Sequence, residues 1–161
     1  MSYAEGTTVS SEQSRVEIER TLTRYGATQF MYGWAPEGAV IQFVASERHV
    51  RFTLPMPDKE ERRFVMHSRG RRTPEAALKA WEQETRRRWR ALALAVKAKL
   101  EVVASGISTF ETEFLGNIVL PDGGTVIEWL SPQIEEAYKS GLMPERMQLA
   151  LPKPGDTVDA A

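Results

Sequence analysis

The stretch TPEAALKAWEQETRRRWRALALAVKAKLEVVASG, residues 73–106, decides the fold. Thr73 is placed to cap a helix and Pro74 suits its first position, where the missing N–H has no partner to lose. Gly106 is placed to stop it, so the spacing predicts one helix of about 31 residues. Leu78, Trp81, Thr85, Trp89, Leu92, Val96, Leu100 and Val103 recur at steps of three and four, which lines them up as one apolar stripe. Trp81 and Trp89 lie on that stripe, which favours core packing over base stacking for them. A stripe this long needs a surface to cover it.

That surface is expected upstream. AVIQFVA (39–45) is a β-branched and aromatic run, VRFTL (50–54) alternates apolar with polar, and residues 46–49 join them as a β-hairpin. RFVMH (63–67) reads as a third strand. ATQFMYGWAPEG (27–38) holds two glycines and Pro36 and reads as a loop or short strand. Before it, Ser14, Ile18, Leu22 and Tyr25 recur at helical spacing over 11–25, with Gly26 as the stop.

Downstream, Ser108 and Glu111 have capping-box spacing and predict a short helix to about residue 118. Thr125 and Glu128 repeat the signal, Pro132 restarts or kinks that helix, and Gly141 ends it. The class expected is α+β: a small antiparallel sheet of two to three strands packed against a long central amphipathic helix, flanked by an N-terminal helix and two shorter C-terminal helices. Residues 1–10 are expected to be flexible, 11–141 to form a single domain, and 142–161 to be a proline-containing tail. There is no internal repeat.

The composition removes several chemistries. The chain has 161 residues and no cysteine, so disulfides, thiolate metal sites and cysteine nucleophiles are excluded. Its two histidines, His49 and His67, are isolated among basic residues, and no metal or other cofactor is expected. If their strands were neighbours the two imidazoles would meet on the polar face of the sheet. No phosphate-loop, dinucleotide-binding, HExxH or GxSxG pattern occurs. Glu111 with Glu113 and Glu135 with Glu136 are spaced so that neither pair shares a helix face, which leaves them as solvated charge. No apolar run approaches the roughly 18 residues that span a bilayer, and the start lacks a signal-peptide pattern, so an intracellular protein without membrane contact is expected.

Charge is the informative feature. The net of −1 divides unevenly: residues 1–61 carry 6 basic and 9 acidic side chains, 62–99 carry 12 and 3, and 100–161 carry 3 and 10. The central block includes Arg62, Arg63, Arg69, Arg71 and Arg72 before the long helix, and Arg86, Arg87, Arg88, Arg90, Lys97 and Lys99 on it. The bias toward arginine suits bidentate contact with phosphate or carboxylate. Arg86, Arg90 and Lys97 share a helical stripe away from the apolar one. HSRGRRT (67–73) is a basic loop leading into a helix N-terminus, where the dipole also favours an anion. Against this, Glu82 lies four residues before Arg86 and the flanking segments are acidic, so internal or inter-subunit ion pairs would account for the same charges. Phe30, Tyr32 and Trp34 alternate and fit either a core-facing strand or an exposed stacking or partner-binding platform.

ERTLTRYGATQFMYGW (19–34), VRFTLPMPD (50–58), the run from residue 74 to 126 and EWLSPQIEEAY (128–138) resemble a family of small proteins encoded by bacteriophages, prophages and integrative elements. The resemblance spans about three quarters of the chain. That family carries no assigned activity, so no site residue transfers from it. It implies a mobile-element protein of the bacterial cytoplasm. Two expectations follow: a non-enzymatic accessory protein binding DNA or RNA phosphates through Arg62, Arg63, Arg69, Arg71, Arg72, Arg86, Arg87, Arg90 and Lys97, or a module that docks a host or phage protein, including a defence factor. A homodimer is the third.

Overall fold

The computed structural model describes Ala4 and residues 6–142. The proline-containing tail from residue 143 onward lies outside the described residues, as do residues 1–3 and 5 of the N-terminal stretch.

Helix α1 spans Ser11–Arg24. Ser10 Oγ accepts from Gln13 N at 3.1 Å and Gln13 Oε1 accepts from Ser10 N at 3.1 Å, so the first turn is closed by a reciprocal cap. Ser14, Ile18 and Leu22 are buried along one face. Three antiparallel strands follow as a meander: β1 (Gln29–Ala35), β2 (Gly38–Ala45) and β3 (Arg48–Pro55). Tyr32 pairs with Ile41 and Ile41 with Phe52, which puts β-branched and aromatic side chains on one face. Ser46 and Glu47 both have positive φ, 48° and 60°, and form the two-residue turn whose twist matches the strands it joins. Gly38 is required where it stands: its φ is 140°, and a Cβ there would lie 2.2 Å from Leu54 O.

The long helix α3 (Pro74–Ala104) forms as expected, with Thr73 as cap and Gly106 at a φ of 71° just past its end. Trp89, Ala93, Val96 and Leu100 join Ile18, Leu22, Ile41, Phe43 and Val50 in one core. Each large aliphatic side chain removed from water there contributes about 1.5–3 kcal/mol. The apolar stripe is not buried throughout, because Leu78 is 46% exposed. At about 1.5 Å per residue a 31-residue helix is about 46 Å long. Its buried residues, Trp89, Ala93, Val96 and Leu100, all lie in the second half of the helix, which leaves the first four turns to other cover.

That cover includes the segment expected to be a third strand. Residues Arg62–Val65 form a single helical turn, α2, whose Phe64 is buried. Only Met66–His67 (β4) is extended, and it pairs with Gly70–Arg71 (β5) in a separate two-stranded hairpin. The third strand of the main sheet is β1, built from the segment with two glycines and a proline. Pro36 lies between β1 and β2 and Gly38 opens β2, so neither interrupts a strand, while Gly33 sits inside β1 and pairs with Val40. His49 and His67 consequently stand in different sheets and are not on neighbouring strands.

Helix α4 (Phe110–Phe114) is capped by Thr109, whose Oγ1 accepts from Thr112 N at 3.2 Å, one residue later than the Ser108 expected. It runs into a 3-10 turn, Leu115–Asn117. Val119 N then donates to His49 O at 2.8 Å, which closes that edge of β3. Helix α5 (Val126–Ser140) has the expected Thr125–Glu128 cap and ends at Gly141, and it continues through Pro132. No helix among the described residues is long and apolar enough to cross a membrane.

Candidate nucleic-acid interface

The central arginines separate into two groups. On α3, Glu84 is 12% exposed and gathers three of them. Its carboxylate accepts from Arg87 Nε at 2.6 Å and Arg87 Nη2 at 2.7 Å, and from Arg88 Nε at 3.0 Å. Arg63 Nη1 lies 3.7 Å away and its Nε is 2.7 Å from Glu61. The two-pronged bond from Arg87 draws the Glu84 carboxyl down to about 2; burial opposes this, and Arg88 adds to it. Arg88 also donates to Pro55 O. Arg86 donates to Gln83 Oε1 at 2.7 Å and stands 4.0 Å from Glu82. Arg90 reaches across to Glu17 on α1. Arg63, Arg86, Arg87 and Arg90 are thus engaged within the protein. Lys97 is exposed and has no polar partner among the described residues. It stands about 35 Å along α3 from Pro74.

The second group surrounds the β4–β5 hairpin. Arg62, Arg69 and Arg71 are exposed, and among the described residues their side chains make no ion pair or hydrogen bond. Arg72 is half-buried, its Nε donating to Met66 O at 3.4 Å. His67 Nδ1 accepts from Arg69 N at 3.0 Å and Gly70 takes a φ of 121°, so the turn is held while Arg69 and Arg71 project from it. Arg71, Arg72, Lys59 and Glu60 line a cleft of about 420 Å³ floored by Pro74 and Leu78. Lys59 Nζ lies 4.4 Å from the centre of the Trp81 ring. The hairpin turns its free guanidinium groups out beside the N-terminal end of α3, whose dipole favours the same sign of ligand.

The alternating aromatics of β1 divide in the same way. Phe30 packs against the core, Tyr32 lies 5.6 Å from buried Trp89, and Trp34 is 66% exposed at the sheet edge. Tyr32, Trp34, Trp81, Thr85 and Arg86 line a cleft of about 410 Å³ between α1, β1 and α3. Arg15 covers the Tyr32 ring at 4.7 Å, and Trp81 Nε1 donates to Pro57 O at 2.7 Å. Trp89 is the core residue expected, whereas Trp81 is only partly buried.

Arg15, Lys59 and Glu84 escaped the sequence reading, and Thr85 entered it only as part of the apolar stripe. The Glu84 pairings follow three- and four-residue helical spacing and were legible. Arg15 meets Tyr32 only through the fold. The far face of the sheet, away from the core, carries Met31, Val40, Gln42 and Thr53 beside Arg51, in a cleft of about 610 Å³. Arg51 donates there to Gly123 O at 2.8 Å and to Glu128 at 3.0 Å. On α5, Ile127, Trp129, Ile134 and Tyr138 are exposed. Among the described residues no group of three His, Asp or Glu side chains is placed to hold a metal ion. No family model, no curated protein and no solved structure matches the chain.

Proposed function

We propose that this chain is a non-enzymatic accessory protein of a mobile genetic element that binds nucleic-acid phosphates through the β4–β5 hairpin. The observation that carries this is that Arg62, Arg69 and Arg71 have no partner among the described residues, beside a helix whose arginines are occupied. A guanidinium held in an internal pair has its donors aimed at protein, and recruiting it would leave a carboxylate such as Glu84 stranded. The hairpin arginines carry no such cost. Arg72 and Lys59 extend the positive surface toward the first turn of α3. Contacts of this kind neutralise backbone charge and displace counterions, so they give affinity without reading sequence.

The test is a titration of labelled DNA and RNA at several salt concentrations. Each phosphate contact adds about 0.9 to the slope of log K against log salt for duplex DNA and about 0.7 for a single strand. Binding that weakens steeply with salt supports the proposal, and absence of binding at about 50 mM salt rejects it.

A second reading has its own observation. Helix α5 buries none of its side chains and exposes Ile127, Trp129, Ile134 and Tyr138, surface of the kind protein partners cover. A nuclease-treated pull-down that retains a partner, and loses it when Trp129 and Ile134 become polar, supports a protein-docking role.

A further inference from the structure

The aromatic cleft between α1, β1 and α3 is separate from the phosphate contacts just described, and its chemistry differs from theirs. It carries two guanidinium groups, Arg15 and Arg86, and two carboxylates, Glu12 and Glu82. The cleft has no excess of positive charge with which to draw a phosphate. What it offers is aromatic surface: Trp34 is 66% exposed, Tyr32 stands edge-on to it with ring centres 6.0 Å apart and carries Arg15 on its ring, and Trp81 joins the lining.

A volume of about 410 Å³ lies in the range of small-ligand sites and is too small for a duplex. Aromatic surface with carboxylates at the rim suits a planar heterocycle that carries N–H or amino donors on its edge. Ring N–H and amino groups would face the exposed carboxylates of Glu12 and Glu82.

Position supports the same class. Leu78 lines the basic cleft while Thr85 and Trp89 line the aromatic one, and the steps between Leu78, Trp81 or Glu82, Thr85 and Trp89 are threes and fours. The two clefts therefore follow one another along one face of α3, about 10 Å apart from Leu78 to Thr85. A strand whose phosphates rest at Arg71 and Arg72 and that continues along this face of α3 reaches the cleft that Trp34 lines.

We propose that the aromatic cleft takes an unstacked nucleobase, which makes single-stranded nucleic acid the preferred ligand over duplex. The strand's path rests on the phosphate-binding role proposed above; the cleft's affinity for a base does not. Free nucleosides present the same ring, so both sources enter the test. The full chain, labelled with nitrogen-15, is titrated with the four ribonucleosides, with a short single-stranded oligonucleotide, and with the same oligonucleotide as a duplex, following the indole N–H signals.

The Trp34 indole signal is expected to shift with the nucleosides, with little dependence on salt, and with the single strand more than with the duplex. Trp34→Ala is expected to weaken single-strand binding about five- to a hundredfold and to leave duplex binding unchanged, with Trp34→Phe restoring most of the loss. Because Trp34 is largely exposed, its removal does not threaten the fold. If the single strand binds but shifts no indole of the cleft, or if Trp34→Ala binds it as well as the parent, the cleft proposal is overturned while the phosphate contacts stand. If nucleosides shift the Trp34 signal yet no oligonucleotide binds at about 50 mM salt, the phosphate proposal falls and the cleft remains a site for a free base.

Discussion

Arg87 donates two parallel hydrogen bonds to Glu84, at 2.6 and 2.7 Å, within a single turn of α3. With Arg88 and Arg63 on the same carboxylate, the most basic run of the chain becomes a structural network.

Glu84→Gln is therefore expected to destabilise the fold by about 1–3 kcal/mol at neutral pH, discounted for the partial exposure of the arginines. The carboxyl is held at about 2 against an ordinary value of 4.5, so the network's contribution is complete above 4.5. It fades as pH falls from 4.5 toward 2. Urea unfolding across that range should show the parent converging on the variant. A constant gap between them would mean that Glu84 is not held ionised by its arginines.

Gly38→Ala is expected to cost more than about 2 kcal/mol, since the added Cβ meets Leu54 O at 2.2 Å where the backbone is already left-handed. Thermal unfolding measures this. A melting temperature within a degree of the parent would contradict the β2–β3 register.

Trp89→Ala and Leu78→Ala make a pair, because both lie on the sequence's apolar stripe and only Trp89 lies under the sheet. Trp89→Ala should lose about 3–5 kcal/mol and Leu78→Ala less than about 1. Equal losses would show that the cover of α3 extends to its first turns.

The fold was largely legible because its strongest signals are local. Thr73 with Pro74 and Thr125 with Glu128 each act within a few residues and their helices start there, and the hairpin read at 46–49 forms with its turn narrowed to Ser46 and Glu47. RFVMH was misread for the converse reason. Two of its residues do pair, but with Gly70 and Arg71, and a bare alternation does not tell a short hairpin from a sheet strand. The sheet's third strand came from ATQFMYGWAPEG, whose Pro36 and Gly38 stand at the β1–β2 turn and whose Gly33 is accommodated within β1. Of the candidate site, arginine bias was visible but occupancy was not. Glu84 engages its neighbours through helical spacing, whereas Arg90 with Glu17 and Arg15 with Tyr32 depend on α1 folding back against α3.

The central claim is that the free guanidinium groups of the hairpin, and not those of the helix, meet the ligand. The direct measurement is the salt dependence of nucleic-acid binding for the parent, for Arg69→Ala with Arg71→Ala, and for Arg90→Ala. The hairpin variant should lower the slope of log K against log salt by about 1.4–1.8, with the Arg90 variant matching the parent's slope. A hairpin variant with the parent's slope, or a loss confined to Arg90→Ala, would contradict the account.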